Sequence, residues 1–366
     1  MVDREFAPGE QTGTLSDGTV IRQARREETS RTKVKPLAVF TARALQAQIF
    51  EPPKAPVKGL IVEGLTLLCG ASKIGKSWLI LDMCCAVASG RPFLGRETIP
   101  GDVLYLALED SEGRIADRLD RLNEQQDDNL CIAFDSLRAN NGLLEQLQGW
   151  CESVENPQMI VIDTLQKVRG ITSGRANAYE QDYALLGQLK KFADTHHIAL
   201  VLVHHLNKMR DVADPFDRIN GSTALMGCAD TTILLTRERG SNDGKLTFTG
   251  RDVEGDDICM RFDEGRWSVV GQAEFERKRY AESPVVQTIK ELLLESFGGR
   301  VEVTSEALKE SVAERRGVCP AGTVSAMSRM VTAFAPDLLR YDGIVTERPT
   351  VNHKRGFRFT AGTVRG

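Results

Sequence analysis

Eight consecutive residues, Gly70-Ala71-Ser72-Lys73-Ile74-Gly75-Lys76-Ser77, fit the pattern G-x-x-x-x-G-K-[ST]. In that pattern the two glycines let backbone N–H groups turn inward around phosphate oxygens at a helix start, where the helix dipole favours negative charge. Lys76 is the point charge aimed at the β- and γ-phosphates of a nucleoside triphosphate, and Ser77 the hydroxyl that ligates Mg²⁺. Trp78 follows directly, so the candidate nucleotide-binding stretch is Gly70 to Trp78. ATP with Mg²⁺ is the ligand pair this chemistry calls for.

A loop of this kind needs a carboxylate on a neighbouring buried strand, and Met159-Ile160-Val161-Ile162-Asp163 is an apolar run ending in an acid. Asp163 is the expected second metal residue, acting through water. Val103-Leu104-Tyr105-Leu106-Ala107-Leu108 ends in Glu109 and Asp110. Glu109 is the first candidate for orienting or deprotonating an attacking water, with Asp110 either its alternative or the cap of the next helix. A third run, Ile198 to Val203, ends in His204 and His205. Either histidine can donate a hydrogen bond to the γ-phosphate and report its loss by moving the loop that follows. Two adjacent histidines whose side chains diverge make a poor metal site.

These side chains act together only if several parallel strands end at one edge of a sheet, which is where open α/β sheets hold ligands. From Leu60 the chain shows the required pattern of strand-length apolar runs separated by helical stretches. Strands are expected at 60–62, 65–69, 103–108, 132–134, 159–162, 198–203 and 231–235, with helices at 76–88, 111–123, 142–154 and 179–195. Three short runs at 245–249, 257–262 and 266–270, parted by Gly-containing turns, read as a terminal antiparallel meander. Residues 1–35 lack apolar periodicity, 38–50 hold one short element, and Pro52 to Pro56 read as an extended connector.

Length, composition and charge agree. The chain has 366 residues, 41% hydrophobic and 27% charged, which fits a large α/β body with an appendage and excludes collagen-like, wholly disordered or disulfide-scaffold proteins. No apolar run reaches the ~20 residues of a membrane span, and the start lacks a signal-peptide pattern, so a cytoplasmic protein is expected with no membrane partner. The eight cysteines show no CxxC spacing and read as buried and reduced. The net charge is −4, yet residues 275–366 hold 15 Lys+Arg against 11 Asp+Glu, a basic end that suits nucleic acid or ordinary solubility equally.

In order, GASKIGKS, YLALED, IVIDT, VLVHH and the stretch from Asn220 to Met226 resemble the RecA-type ATPase core of hexameric plasmid replicative helicases of the RepA kind, and related AAA-family proteins of phages and mobile elements. The resemblance covers about residues 57–271. It implies a RecA-like P-loop NTPase core that assembles as a homo-oligomeric ring, hexameric by preference, with ATP between subunits. Glu109 then becomes the catalytic glutamate, Asp163 the magnesium acid and His204-His205 the sensor. Ser72-Lys73-Ile74 depart from the family's small residues. The arginine finger is not matched residue by residue: Arg251, in Thr249-Gly250-Arg251-Asp252, is the first candidate and Arg237 the second, with surface ion pairing as the ordinary alternative.

In such a ring the loops after Asp163 and His204 face the channel. Lys167, Arg169 and Arg175 in the first, and Lys208, Arg210 and Arg218 in the second, suit sequence-independent contact with single-stranded DNA, or are simply solvated. Phe216 is the one aromatic available there for base stacking, and Asp211, Asp214 and Asp217 dilute the second loop's charge.

The region 272–366 reads as three helices (284–295, 304–315, 320–332) followed by a hairpin around 344–346 and 356–360, the winged-helix arrangement. Ala321 to Arg329 take the recognition-helix position, with Lys354, Arg355 and Arg358 on the wing. This module is either a DNA reader or a protein contact, for instance with replication proteins. The chain therefore reads as a segment of 1–56, an ATPase core of 57–271 and a winged-helix-like domain of 272–366. A DNA-translocating motor and an ATP-switched DNA-binding regulator or loader are the two functions carried forward.

Overall fold

The computed structural model describes residues 10–14, 20–24, 39–122, 128–170, 178–206, 216, 219, 222–238, 240–351 and 354–362. The chain divides into two units, Met1–Pro52 and Pro53–Gly366. In the first, β1 (Glu10–Thr14) pairs antiparallel with β2 (Val20–Ala24), and α1 (Ala42–Gln46) begins at Thr41, whose hydroxyl accepts from the Ala44 N–H. The short element expected at 38–50 is this helix. The hairpin was not expected, because EQTGT offers no period-two apolar signal and its strand character comes from backbone pairing alone.

The second unit continues with β3 (Gly64–Gly70), α2 (Lys76–Ser89), β4 (Asp102–Ala107), α3 (Glu112–Leu122), β5 (Leu130–Ala133), α4 (Leu143–Ser153), β6 (Pro157–Asp163) and α5 (Leu165–Val168). Then come α6 (Ala178–His196), β7 (Ala199–His205), α7 (Ser222–Cys228), β8 (Thr231–Arg237), β9 (Asp243–Gly250), β10 (Asp256–Asp263) and β11 (Arg266–Val269). Among the described residues these strands form one sheet in the order β11-β10-β9-β8-β3-β7-β6-β4-β5. The six from β8 to β5 in that order run parallel, and the last three in the chain form the expected antiparallel meander.

Alternation along the strands assigns side chains to two apolar layers. Val103, Tyr105, Met159, Val161, Val201 and Val203 face α2 and α3, whereas Leu104, Leu106, Ile160, Ile162, Leu200 and Leu202 face α4 and α6. Helices thus cover both faces, the arrangement a parallel sheet needs because both of its sides must leave water. The apolar run at 60–62 is buried but is not a strand. Gly59 turns the chain at φ +66°, and Val57 bridges Ile61 and Thr98, so the run caps the sheet instead of joining it.

A third apolar cluster organises the C-terminal region. Its elements are α8 (Gln272–Glu282), α9 (Pro284–Glu295), β12 (Arg300–Thr304), α10 (Ser305–Arg316), α11 (Val324–Asp342), β13 (Ile344–Glu347), β14 (Thr350–Val351) and β15 (Lys354–Ala361). The sheet order β12-β15-β13, with β12 between the first two helices of the trio and the hairpin after the third, is the winged-helix order. The fold class is therefore an α/β RecA-like P-loop NTPase core followed by a mostly helical C-terminal region.

Three details there differ from expectation. Helix α8 was missed because it is polar nearly all round, with only Tyr280 buried; Lys278 holds Asp243 at 2.9 Å and Arg261 holds Glu274 at 3.3 Å. Strand β12, also missed, alternates only partly buried residues. The third helix starts later and runs ten residues further than expected, past Pro336, because Met327, Val331, Phe334 and Leu338 keep one buried stripe going. A proline normally ends a helix by removing an N–H and crowding the previous turn, and here the stripe outweighs it.

All eight cysteines are free, and six are buried. Among the described residues no helix is long and apolar enough to cross a membrane.

Leu338 is fully buried in the third cluster. Leu338→Ala is expected to cost about 2–5 kcal/mol there. Differential scanning calorimetry should show an early transition that moves while the transition of the nine-stranded sheet stays in place. A single transition that moves as a whole would mean that the C-terminal region and the sheet melt as one.

Candidate nucleotide site

The loop between β3 and α2 is built by burial and backbone conformation. Gly75 caps α2 at φ +98°, and a Cβ there would meet the Trp267 ring at 3.1 Å. Trp267, from β11, is 2% exposed and donates from Nε1 to the Gly75 carbonyl at 3.1 Å. Sequence reading missed this brace; the only signal was a tryptophan in an otherwise short, polar strand. The departures in the middle of the loop are accommodated: Ser72 and Lys73 face solvent, Lys73 takes a left-handed φ of +64°, and Ile74 packs on the first apolar layer. Trp78 lies edge-on to Phe262 and under the Arg118 guanidinium, so its ring supports the loop from outside.

Lys76 is 6% exposed. Its Nζ donates to the carbonyls of Gly70 at 2.9 Å and Ala71 at 2.7 Å, and lies 3.2 Å from His205 Nδ1. Burial lowers its pKa to about 8, against the pull of Asp163, Cys69 and Glu109. The other ring nitrogen of His205, Nε2, faces Glu109 Oε2 at 3.4 Å. Thr164 donates to the other oxygen of Glu109 at 3.1 Å. Lys76, His205, Glu109 and Thr164 thus form one polar chain across the ends of α2, β7, β4 and β6.

Asp163 sits beside this chain. It was expected on a strand next to β3, but β7 lies between them, and contact is made across the strand ends instead. Ser77 Oγ donates to Asp163 Oδ2 at 3.2 Å, as does the Tyr105 hydroxyl, also at 3.2 Å. Burial raises the Asp163 pKa, partly offset by these two hydrogen bonds. Tyr105, fully buried, is a second residue that sequence reading missed; it was the one hydroxyl in an aliphatic run.

The remaining candidates are placed as follows. His204 is 6% exposed and lies one residue further back along β7, so His205 is the histidine that meets the lysine. Asp110 is taken up by Arg114 at 2.7 Å and Arg118 at 2.5 Å, which leaves Glu109 as the carboxylate at the loop. Arg251 follows β9 beside the start of β8, at the opposite edge of the sheet, paired with Asp230 at 3.3 Å. Arg237 lies at the loop edge, stacked on Phe262 at 4.7 Å and Trp267 at 5.6 Å. A cleft of about 850 Å³ begins there, at Ala71 and Ile74, and runs past Arg237 to Lys278 and Phe334.

Of the channel-loop residues, Lys167 is exposed and Arg169 holds Asp182 at 2.7 Å. Phe216, the one aromatic expected to stack on bases, is partly buried and packs against the second apolar layer. Arg175, Lys208, Arg210, Arg218, Asp211, Asp214, Asp217 and the start of the Asn220 stretch lie outside the described residues.

The donor set around Ser77 is hard oxygen, from a hydroxyl and a buried carboxylate, which fits Mg²⁺. Among the described residues no group of three or more His, Cys, Asp or Glu could hold a metal ion.

Two outcomes follow from this geometry. A polyphosphate stabilises the charged lysine, so binding near and above pH 8 takes up protons and weakens as pH rises. Calorimetry of ADP or ATP binding in buffers of different ionisation enthalpy should show that uptake at pH 8.5 and its absence in Lys76→Arg, whose guanidinium stays charged. Trp267→Ala removes a buried indole and the donor to Gly75; it should cost about 3–5 kcal/mol of stability and weaken nucleotide binding, read by thermal melting with and without ligand.

The chain is similar to known proteins over part of its length. DNA repair protein RadA of Streptococcus pneumoniae is 25% identical over 158 residues, covering 43% of this chain and 33% of RadA. RadA of Haemophilus influenzae is 26% identical over 197 residues, covering 52% and 39%. The chain thus spans about a third of the length of the curated relatives it matches. A solved structure of a DnaB-like replicative helicase and its interactions with primase overlaps at TM-score 0.46 and 14% identity, covering 57% of this chain and 59% of that one. The AAA domain family matches residues 28–211, half of the sequence, and the chain belongs to that family.

Proposed function

We propose that this chain is a Mg²⁺-dependent ATPase of the RecA-like ring class, and that hydrolysis at subunit interfaces drives DNA translocation or unwinding in replication of a plasmid, phage or mobile element in the cytoplasm. The observation that carries the ATPase reading is the convergence at one sheet edge of two hydrogen-bonded sets, Lys76–His205–Glu109 and Ser77–Asp163. DNA as the partner is supported by the RadA relatives, which are named as DNA repair proteins. Replication rests on the motif order alone.

In this mechanism the triphosphate takes the place of the Gly70 and Ala71 carbonyls as partner of the Lys76 ammonium. Ser77 and Asp163 would hold Mg²⁺, which would neutralise phosphate charge. Glu109, held by Thr164 and His205, orients the water that attacks the γ-phosphorus and accepts its proton; the new P–O bond forms as the bond to the β-phosphate bridging oxygen breaks. His205 touches both Lys76 and Glu109, so loss of the γ-phosphate is felt at once at the end of β7 and by the loop that follows. A neighbouring subunit supplies the arginine finger, Arg251 or Arg237. Division at residue 272 gives the C-terminal region its own role, and the switch or loader reading keeps the same site without a motor.

Lys76→Ala should abolish turnover and weaken ATP binding. Glu109→Gln should reduce turnover by about 10²–10⁴-fold while ATP still binds, the range expected for a lost general base. Phosphate release measured with and without single-stranded DNA, together with strand displacement, separates the readings. No hydrolysis by the wild-type chain would end the ATPase proposal, and DNA-stimulated hydrolysis without displacement would favour the loader.

A further inference from the structure

The wing residues expected to touch DNA do not act as a group. Arg358 pairs with two carboxylates of its own sheet, Glu302 at 2.6 Å and Glu347 at 3.0 Å. Lys354 and Arg355, by contrast, project beside the start of α11, where Arg329 and Arg348 join them around a concavity of about 390 Å³. Among the described residues that line it, these four cations stand with one carboxylate, Glu306.

Each of the four is presented differently. Lys354 pairs with Glu306 at 2.7 Å, but the two side chains are 65% and 51% exposed, and an ion pair that open to water is worth only about 0–1 kcal/mol. A phosphate displaces it easily. Arg348 is oriented by Thr332, to which it donates, and by the Phe357 ring at 5.6 Å. Arg355 is exposed. Arg329 lies one turn beyond Ser325 on α11, so the two share a face. The helix itself is 19 residues long, begins at Thr323, and aims first-turn amides and the positive end of its dipole out past Val324 and Ser325.

We propose that this concavity is a second nucleic-acid site, which grips the phosphodiester backbone of duplex DNA independently of sequence. The charge is complementary to a polyanion, and hydroxyls of Ser325 and Thr304 border the cations as further phosphate partners. Among the described residues no aromatic side chain lines it, whereas single-strand sites rely on base stacking. The site stands on the C-terminal residues alone and does not depend on nucleotide turnover. It would hold the chain on a duplex while the ring acts elsewhere.

The test uses the full chain and a fluorescein-labelled duplex of arbitrary sequence, titrated by anisotropy at several salt concentrations without nucleotide. The double variant Lys354→Ala/Arg355→Ala should bind roughly 10-fold more weakly at low salt, and its slope of log K against log salt should flatten by about 1.8, two phosphate contacts at ~0.9 each. Arg355→Lys, which keeps the charge, should retain affinity and slope, and Lys76→Ala should bind duplex like the wild type. Basal ATP turnover and melting temperature of the double variant should not change. Equal affinity and slope in the double variant and the wild type would overturn the proposal, as would absence of duplex binding by the wild type at low salt; neither result touches the ATPase reading, which stands or falls on turnover.

Discussion

A lysine ammonium taken out of water needs partners on every side, and the placing of Lys76 constrains most of what surrounds it. Its three donors are met by two loop carbonyls and an imidazole, which requires β3 to end where it does and β7 to lie next to it. A Cβ at Gly70 would come within 3.0 Å of the Leu235 carbonyl and of the lysine's own stem, so the strand must end in glycine for the side chain to fold back. Carboxylates on the next two strands lower the cost of burying the charge further. The lowered pKa of about 8 shows that the compensation is partial, and a site left short of negative charge is ready for a polyphosphate.

The same site is braced from outside the parallel sheet. Trp267 belongs to the last strand of the meander, far along the sheet from the loop in strand order, yet its indole reaches the Gly75 carbonyl. Arg237 stacks on that indole and on Phe262. The antiparallel extension therefore does more than cover an edge: it closes the outer wall of the phosphate loop and begins the cleft that leads to α8 and α11. Movement of the loop and movement of this wall are mechanically linked, because the packed groups between them leave no slack.

Charge elsewhere is arranged with equal economy. At the edge opposite the loop, Asp230 accepts from the Leu65 amide and pairs with Lys190 and Arg251, tying the start of β3 to α6 and the end of β9. In the C-terminal region, carboxylates of β12 and β13 pair with Arg358 across the sheet, while Lys354, Arg355 and Arg329 are exposed. Which arginines pair within the fold is decided by packing and cannot be read from the count of basic residues.

Much of the fold and the site was legible in the sequence, because the signals were local. A G-x-x-x-x-G-K-S loop between an apolar run and a helix specifies its own geometry through glycine conformations and the helix dipole. Apolar runs ending in Glu109, Asp163 and His205 specify parallel strands whose ends meet, since a sheet buried on both faces leaves only its edges for polar groups. Tertiary structure decided what depends on partners distant in the chain: β7 between β3 and β6, Tyr105 on Asp163, Trp267 behind Gly75, Phe216 against the second apolar layer and Arg358 paired with two glutamates. Helix α11 shows the same division, its proline legible as a stop and its buried stripe overriding that stop. Local conformational preferences are written residue by residue, whereas burial and charge pairing exist only once remote segments have packed.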